Sequence, residues 1–168
     1  MDVYLSRWPV YESVMRAAWL WAQDRSKDPS TKVGAGVYHP DTGALFLGYN
    51  GFNPGVPDTR ERWDVRDLSA AENKYQAVRN AEANAITKAW QCLGGREVRT
   101  CVLMVTNFPC HRCVVDFIAP AGIKSVYYGD THPQDPLTEL FSEENGVVLH
   151  HMPLAQALSG LRAVYDAT

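Results

Sequence analysis

The segment TCVLMVTNFPCHRCVVDFIAPAGIKSVYY, residues Thr100 to Tyr128, reads as a strand, a helix and a second strand. Its first residues, Thr100 to Thr106, are mostly apolar and β-branched and predict a buried strand. A helix is predicted from Cys110 towards Ala119, and Gly122 separates it from the strand Ile123 to Tyr128. Alternation of strand, helix and strand is typical of an α/β sheet, so this segment decides the fold class.

The elements on both sides extend this unit. Upstream, two strand-like runs, Val33 to Tyr38 and Ala44 to Tyr49, are joined by the turn-rich residues 39–43 and predict a hairpin. The polar stretch from Asn50 to about Ala70 follows, and loops of that length are usually functional. Further helices are predicted at about 10–26, 81–93, 136–142 and 154–165, and a further strand at 147–150. We expect a single domain, residues 1–168, with a five-stranded mixed sheet and helices on both faces.

Composition limits the classes of function. The chain has 168 residues, 46% of them hydrophobic and 21% charged, with a net charge of −3. A domain of this size buries about 70% of the surface of its unfolded chain, so its fold needs no metal or disulfide. The negative charge argues against a nucleic-acid partner, since binding to a phosphate backbone depends on Lys and Arg. Without a signal peptide or an apolar run of about 20 residues, we expect a cytoplasmic protein that does not enter a membrane.

The sequence Pro109-Cys110-His111-Arg112-Cys113 carries the sharpest chemical signal. Two thiols three positions apart at a helix start face the same way, and the free amides there favour thiolates. The spacing therefore predicts half of a zinc site, with Cys110 and Cys113 as ligands. A redox dithiol has the same spacing, and two buried structural cysteines are the remaining interpretation.

About thirty residues upstream, Asn80-Ala81-Glu82 opens the preceding predicted helix. In zinc deaminases, His-x-Glu precedes Pro-Cys-x-x-Cys, the Glu acts as general acid and base, and it does not bind the zinc. Glu82 matches that Glu, whereas Asn80 stands in the position of the His. Taken alone, a Glu in the first helical turn is more simply explained by the helix dipole.

Six stretches, in the same order along residues 8 to 130, together resemble the deoxycytidylate (dCMP) deaminase family. The stretch Gly48 to Val56, GYNGFNPGV, is similar to the family loop GYNGFPxGV, with Asn53 inserted or substituted beside the proline. The stretch Phe108 to Cys113, FPCHRC, is similar to the second half of the family's zinc motif. The other four stretches are Asp28 to Ala35, Asp58 to Arg62, Glu72 to Tyr75 and Ala121 to Tyr128.

This resemblance implies a three-layer α/β/α fold of the cytidine-deaminase type and hydrolysis of dCMP to dUMP. It implies a Zn²⁺ ion held by Cys110, Cys113 and the residue at position 80, Asn80, with a bound water that attacks C4 of cytosine. Glu82 would move the proton of that water to ring N3 and to the departing ammonia. The substrate-binding residues that it implies are Asn50, Tyr75 and Lys32, with Lys32 or an arginine between positions 60 and 66 facing the phosphate.

The resemblance also implies regulation and assembly. Members of the family are often allosteric, with dCTP as activator and dTTP as inhibitor, and Mg²⁺ would accompany the triphosphate. The residues implied for that nucleotide loop are Gly48, Gly51, Gly55 and Arg60. A homo-oligomer, commonly a hexamer, is implied in the same way. A left-handed turn at Asn50-Gly51 is the structural alternative to a ligand contact there.

Asn80 departs from the family pattern at a metal ligand, because zinc prefers imidazole or thiolate to a neutral amide oxygen. One interpretation is weak metal binding by the two cysteines with activity reduced or lost, and we favour it because Glu82 and both cysteines are present. In a second, His111 completes the site, although about 100° of rotation per residue turns it off the cysteine face. In a third, the chain binds nucleotides for regulation without turnover.

Other substrates remain open at this point. Free cytidine and C5-modified dCMP are alternatives to dCMP, because discrimination between them depends on the shape of the pocket. Adenosine in tRNA is disfavoured by the net charge of −3, since a tRNA enzyme needs an extended basic surface.

Overall fold

The computed structural model describes residues 3–67, 69, 74–130 and 135–165. Its strands are β1 (Gly34–Tyr38), β2 (Leu45–Tyr49), β3 (Gly51–Phe52), β4 (Val78–Arg79), β5 (Val102–Asn107), β6 (Ser125–Asp130) and β7 (Val148–His151). Five of them form one sheet in the order β2-β1-β5-β6-β7. β1 is antiparallel to β2 and to β5, whereas β6 is parallel to β5 and to β7. The predicted five-stranded mixed sheet is confirmed.

Helices cover both faces of this sheet. They are α1 (Val3–Arg25), α2 (Arg60–Asp64), α3 (Lys74–Ala77), α4 (Ala81–Leu93), α5 (Gly95–Val98), α6 (His111–Cys113), α7 (Ala119–Ala121), α8 (Pro136–Glu144) and α9 (Leu154–Tyr165). A π-helical segment, Val114–Ile118, joins α6 to α7, so the helix predicted from Cys110 onward is continuous but locally widened. None of the described helices is long and apolar enough to cross a membrane.

Strand β5 separates two hydrophobic cores. Leu103 and Val105 belong to the core beneath α4 and the π-helical segment, whereas Val102 and Met104 belong to the core beneath α1 and α9. Successive side chains of a strand point to opposite faces of the sheet. The sheet is therefore the middle layer of an α/β/α sandwich, as predicted.

The first helix differs from the prediction in its start. It begins at Val3 and runs through Pro9, instead of beginning after that proline. Trp8 accounts for the extra length, because its ring packs edge-on against Tyr127 at 5.9 Å and its indole N–H donates to Glu12 at 3.0 Å. Tertiary packing thus holds the turn before Pro9 in helical form.

The stretch after residue 50, predicted as a loop, contains the short helix α2 and one strand of a two-stranded ribbon. In that ribbon, Phe52 of β3 pairs with Val78 of β4, and the Phe52 ring packs on the buried Trp63 of α2 at 4.6 Å. Sequence alone did not indicate this ribbon, since its strands have two residues each. Glu72 and Asn73, from one family-like stretch, lie outside the described residues.

Two glycines of the hairpin let helices approach its backbone. A Cβ atom at Gly34 would lie 2.0 Å from the carbonyl oxygen of Ala18 in α1. A Cβ atom at Gly48 would lie 2.4 Å from the carbonyl oxygen of Ala81 and 2.5 Å from the amide nitrogen of Ala85, both in α4. The contact at Gly48 fixes the position of the first turn of α4.

We expect Gly48→Ala to lower the free energy of unfolding by about 1–3 kcal/mol, the usual cost of overpacking. The new methyl group would meet backbone atoms of α4, which cannot rotate away as a side chain can. Urea-induced unfolding followed by circular dichroism measures this loss. Gly51→Ala is the matched control, because a Cβ atom there meets only the Tyr49 ring, at 3.1 Å. Equal losses in the two variants would contradict the close packing of α4 on β2.

Candidate active site

Two helix starts meet beside the sheet. Asn80 precedes α4 and Cys110 precedes α6, and both have extended backbone, with ψ angles of 153° and 156°. The amide nitrogen Nδ2 of Asn80 lies 3.0 Å from Sγ of Cys113 and 3.5 Å from Sγ of Cys110. An Asn at this position often bonds the backbone of its own helix, but the Asn80 side chain makes no such bond. The structure therefore brings together the three residues predicted at the metal site.

Glu82 lies in the first turn of α4, next to these sulfurs. Its side chain is buried and is in hydrogen-bond contact with Cys113. Burial and the nearby charge of Cys110 raise the pKa of Glu82 to about 7. A carboxyl group that titrates near neutral pH can both accept and release a proton, as general acid-base catalysis requires.

The two thiols are in different states. A hydrogen bond from the Cys113 thiol, with help from backbone N–H groups of the same turn, lowers the pKa of Cys110 to about 6. The pKa of Cys113 is raised, because its thiol donates that bond and is buried. Cys110 is therefore the thiolate of the pair, and the Asn80 amide adds N–H donors to both sulfurs.

The side chains at this cluster fall one ligand short of a catalytic zinc site. Such a site takes three protein ligands and leaves one position for water. Cys110 and Cys113 supply two, whereas Asn80 directs N–H groups towards the sulfurs and offers no lone pair there. His111 is turned away, with its Nδ1 bonded to the carboxylate of Asp135. Within the described ranges, no group of three or more His, Cys, Asp or Glu side chains is placed to hold a metal.

A cavity of about 400 Å³ opens above the cluster. Asn80, Glu82 and Cys110 form one part of its wall, and Asn107 and Phe108, at the end of β5, also line it. Sites for small molecules commonly have volumes of about 300–1,000 Å³. The cluster thus faces a space that a small ligand can fill.

A buried ion pair forms another part of the same wall. The Nζ atom of Lys74 lies 3.1 Å from Oδ2 of Asp28 and 2.9 Å from Oγ of Ser30, and both charged side chains are only 6% exposed. Burial alone would raise the pKa of Asp28, but hydrogen bonds from Ser30, Lys74 and Thr31 outweigh it and lower that pKa. Sequence reasoning missed this pair as site residues, although both members lie in the family-like stretches, the one signal that could have found them.

Asn50 lines the cavity, but every donor and acceptor of its side-chain amide is hydrogen-bonded within the protein. Its Nδ2 donates to the carboxylate of Asp28 at 3.3 Å and to the carbonyl of Thr31 at 2.9 Å. Its Oδ1 accepts from the hydroxyl of Ser26 at 2.8 Å and from the N–H of Val33 at 2.9 Å. An amide has two N–H groups and two acceptor lone pairs. Asn50 therefore supports the wall and keeps no group free for a ligand.

The other predicted binding residues are divided. Tyr75 lines the cavity and is largely exposed, and Arg66, which lies in the stretch where a phosphate contact was expected, lines it too. Lys32 donates to a backbone carbonyl of α1 at 2.7 Å, and Arg60 forms an exposed ion pair within α2. Neither Lys32 nor Arg60 is among the described residues that line the cavity.

The three glycines predicted for a nucleotide loop have structural roles. Gly48 is required for the packing of α4, and Gly51 pairs with Arg79 in the β3–β4 ribbon. Gly55 has a φ angle of 88° in an exposed turn, a conformation that glycine adopts readily. Backbone geometry thus accounts for all three glycines without a bound nucleotide.

Comparison with known proteins gives consistent matches. The family model described as the cytidine and deoxycytidylate deaminase zinc-binding region matches residues 9–130. A deoxycytidylate deaminase of Pongo abelii is 37% identical, and one of Mus musculus is 38% identical, each over 127 residues. These alignments cover 76% of this chain but only 66% of each relative. The solved dCMP deaminase of the cyanophage S-TIM5, in complex with dCMP and dUMP, is 25% identical with a TM-score of 0.65, covering 90% of this chain and 99% of that one.

We expect Lys74→Met to lower the free energy of unfolding by about 3–5 kcal/mol, because Asp28 would remain buried without its partner. The double variant Asp28→Asn with Lys74→Met removes both charges and should recover part of that loss. Arg60→Met is the control at an exposed pair and should cost less than about 1 kcal/mol. Urea-induced unfolding measures all three, and a loss at Lys74 no larger than that at Arg60 would refute a buried ion pair.

The lowered pKa of Asp28 predicts a pH dependence of stability. A carboxyl group whose pKa is lower in the folded than in the unfolded state stabilises the fold above its unfolded value of about 3.9. That contribution is lost as the pH falls through the folded-state pKa. The difference in unfolding free energy between the unmodified chain and Asp28→Asn should therefore be constant above about pH 5 and shrink below about pH 4. Urea titrations from pH 7 to pH 3 test this, with the exposed Asp24→Asn as control, and a difference that does not shrink counts against it.

Proposed function

This chain belongs to the cytidine and deoxycytidylate deaminase family, and we propose that it binds dCMP in the cavity above Cys110. We further propose that it hydrolyses dCMP to dUMP, at a rate well below that of a member with His in place of Asn80. Relatives named deoxycytidylate deaminase, and the solved phage enzyme that holds dCMP and dUMP, support the choice of substrate.

One observation carries the proposal, namely the contact of Asn80 with both sulfurs. Glu82, Cys110 and Cys113 stand where zinc deaminases place the proton carrier and two metal ligands. The Asn80 amide meets the sulfurs at 3.0 and 3.5 Å as a hydrogen-bond donor, where a third ligand is needed. The nucleotide cavity and the proton carrier are thus complete, while the group that should activate water is weakened.

In the reaction, Glu82 handles the protons. It accepts a proton from the attacking water, delivers it to ring N3 of cytosine, and then helps to protonate the departing ammonia. Its pKa of about 7 suits both directions of transfer. The Asn80 side chain does not activate the water, because its N–H groups donate hydrogen bonds to the two sulfurs. With Glu82 as the only group that activates the water, we expect the attack of that water to be slow.

The remaining cavity residues bind and position the nucleotide. Arg66 is a cation at the wall, and a planar guanidinium suits a phosphate group. Lys74 is engaged by Asp28 and contributes shape more than charge. Tyr75 presents an exposed aromatic ring at the same wall. Asn50 is a positioning residue that holds the segment around Thr31 in place.

Other inferences from the sequence and from the family resemblance stay predictions. They comprise a single domain over residues 1–168, effector binding by dCTP and dTTP with Mg²⁺, a homo-oligomer and a cytoplasmic location. The choice between dCMP, C5-modified dCMP and free cytidine also stays open to direct binding measurements.

Asn80→His should convert the chain into an efficient zinc-dependent deaminase. Metal analysis after dialysis should give close to one zinc per His-containing chain and much less for the unmodified chain. Conversion of dCMP to dUMP, followed by absorbance, should rise by at least about 100-fold, because loss even of a group that orients a ligand costs about 10–100-fold. Binding of dCMP, measured by calorimetry, should change little, because the cavity wall is otherwise the same.

Two variants control this experiment. Asn80→Ala removes the N–H donors without adding a ligand and should gain neither zinc nor turnover. Glu82→Gln in the Asn80→His background should keep zinc and lose turnover. Full zinc occupancy and undiminished turnover in the unmodified chain would disprove the proposed impairment. Tight dCMP binding without turnover even in Asn80→His would favour a nucleotide sensor over an enzyme.

A further inference from the structure

We propose that Cys110 and Cys113 form a reversible intrachain disulfide by exchange with small-molecule disulfides, so that the pair is a redox-active dithiol. The proposal does not depend on deaminase activity. It rests on the placement of four side chains, those of the two cysteines, Asn80 and Glu82.

The turn that holds the two cysteines brings their thiols into contact. Cys110 precedes α6 and Cys113 ends its first turn, which is closed by a bond from the N–H of Val114 to the carbonyl of Cys110 at 3.3 Å. Side chains three positions apart on a helical turn have Cβ atoms about 5–6 Å apart, whereas a disulfide joins Cβ atoms about 3.5–4.5 Å apart. The two thiols are already in hydrogen-bond contact. Closure therefore requires rotation of both side chains and an approach of the two Cβ atoms, which Cys110 can make because it precedes the helix with extended backbone.

The two sulfurs differ in access, as thiol–disulfide exchange requires. Cys110 is partly exposed and lines the cavity, so a dissolved disulfide can reach it. Cys113 is only 1% exposed, so a dissolved disulfide does not reach its sulfur directly. Cys110 is thus the attacking sulfur, and Cys113 is the sulfur that resolves the mixed disulfide.

Asn80 leaves this pair available for exchange. An imidazole at that position would join both thiolates in one metal shell and block their reaction, whereas the Asn80 amide only donates hydrogen bonds to them. Such hydrogen bonds stabilise negative charge on sulfur. Unlike a metal–thiolate bond, they do not have to be broken before the thiolate can attack a disulfide. The other two cysteines differ, since the buried thiol of Cys101 is directed to the carbonyl of Glu97 and Cys92 is exposed.

The exchange proceeds in two steps. The Cys110 thiolate attacks one sulfur of oxidised glutathione, the disulfide bond of glutathione breaks, and one glutathione leaves as a thiolate. The sulfur of Cys113 then attacks that of Cys110 and releases the second glutathione. The proton of Cys113 passes to the carboxylate of Glu82, with which it is in contact, and from there to a departing thiolate. The protein loses two electrons and the one proton of Cys113, so one glutathione disulfide becomes one thiol and one thiolate, and the thiolate takes its proton from the solvent.

The test equilibrates the full chain in a series of glutathione redox buffers, followed by acid quenching, alkylation and peptide mapping by mass spectrometry. We expect one Cys110–Cys113 disulfide in the unmodified chain, and also in the control Cys92→Ser. Cys113→Ser should stop at a glutathione mixed disulfide on Cys110, and Cys110→Ser should leave Cys113 reduced. The proposal is overturned if both cysteines stay alkylatable in oxidised glutathione, or if Cys110 of the unmodified chain stops at the mixed disulfide.

Zinc provides a second readout. With one equivalent of zinc, oxidation of Asn80→His should slow by at least about tenfold, because a third ligand closes the metal shell. Oxidation of the unmodified chain should slow by less than about twofold, because two thiolates alone leave that shell open. Equal protection of both chains would overturn the claim that Asn80 leaves the thiols available. A chain that forms the disulfide but fails to bind dCMP contradicts only the proposed function.

Discussion

The candidate site depends on the direct contact of α4 with the backbone of β2. Gly48 permits it, because any larger residue would put a Cβ atom within 2.5 Å of two backbone atoms of α4. Side chains of the helix then bond the edge strand, with Asn84 donating to the carbonyl of Tyr49 at 2.8 Å and Lys88 to that of Leu47 at 2.7 Å. These bonds satisfy carbonyls of an otherwise open edge. They also hold the helix start, and with it Asn80, at a fixed distance from the end of β5.

The opposite wall of the cavity is held by polar contacts instead of packing. Asp28 accepts bonds from Lys74, Ser30 and Asn50, which come from three separate parts of the chain. A buried charge is tolerated only when it is paired and hydrogen-bonded, so these segments must assemble together. Because the ion pair is neutral as a unit, it shapes the cavity without setting its charge. Arg66 then adds a positive charge to the lining of the cavity.

Local sequence patterns predicted most of the sheet and the bounds of α4 and α9, whereas the motif and the family resemblance predicted the meeting of Asn80, Glu82 and the cysteine pair. They predicted less well the roles of residues whose contacts lie far away in the sequence. The glycine at position 48 was assigned to a nucleotide loop, whereas the approach of a helix 33 residues later in the sequence explains it. Asn50 carried the pattern of a ligand contact, but its four bonds all go to the protein. Period and spacing cannot reveal such roles, because the partners are remote in sequence.

The contact of Asn80 with the two sulfurs is separate from the packing that holds the fold together. The two hydrophobic cores lie on the faces of the sheet and rely on apolar burial, so no metal is needed to hold the layers together. At the helix start, an amide fills the space beside two sulfurs and gives both of them a donor. These hydrogen bonds thereby join the start of α4 to the start of α6. Because hydrogen bonds do not use the electron pairs of the sulfur in a covalent bond, both sulfurs keep the groups on which the proposed exchange depends.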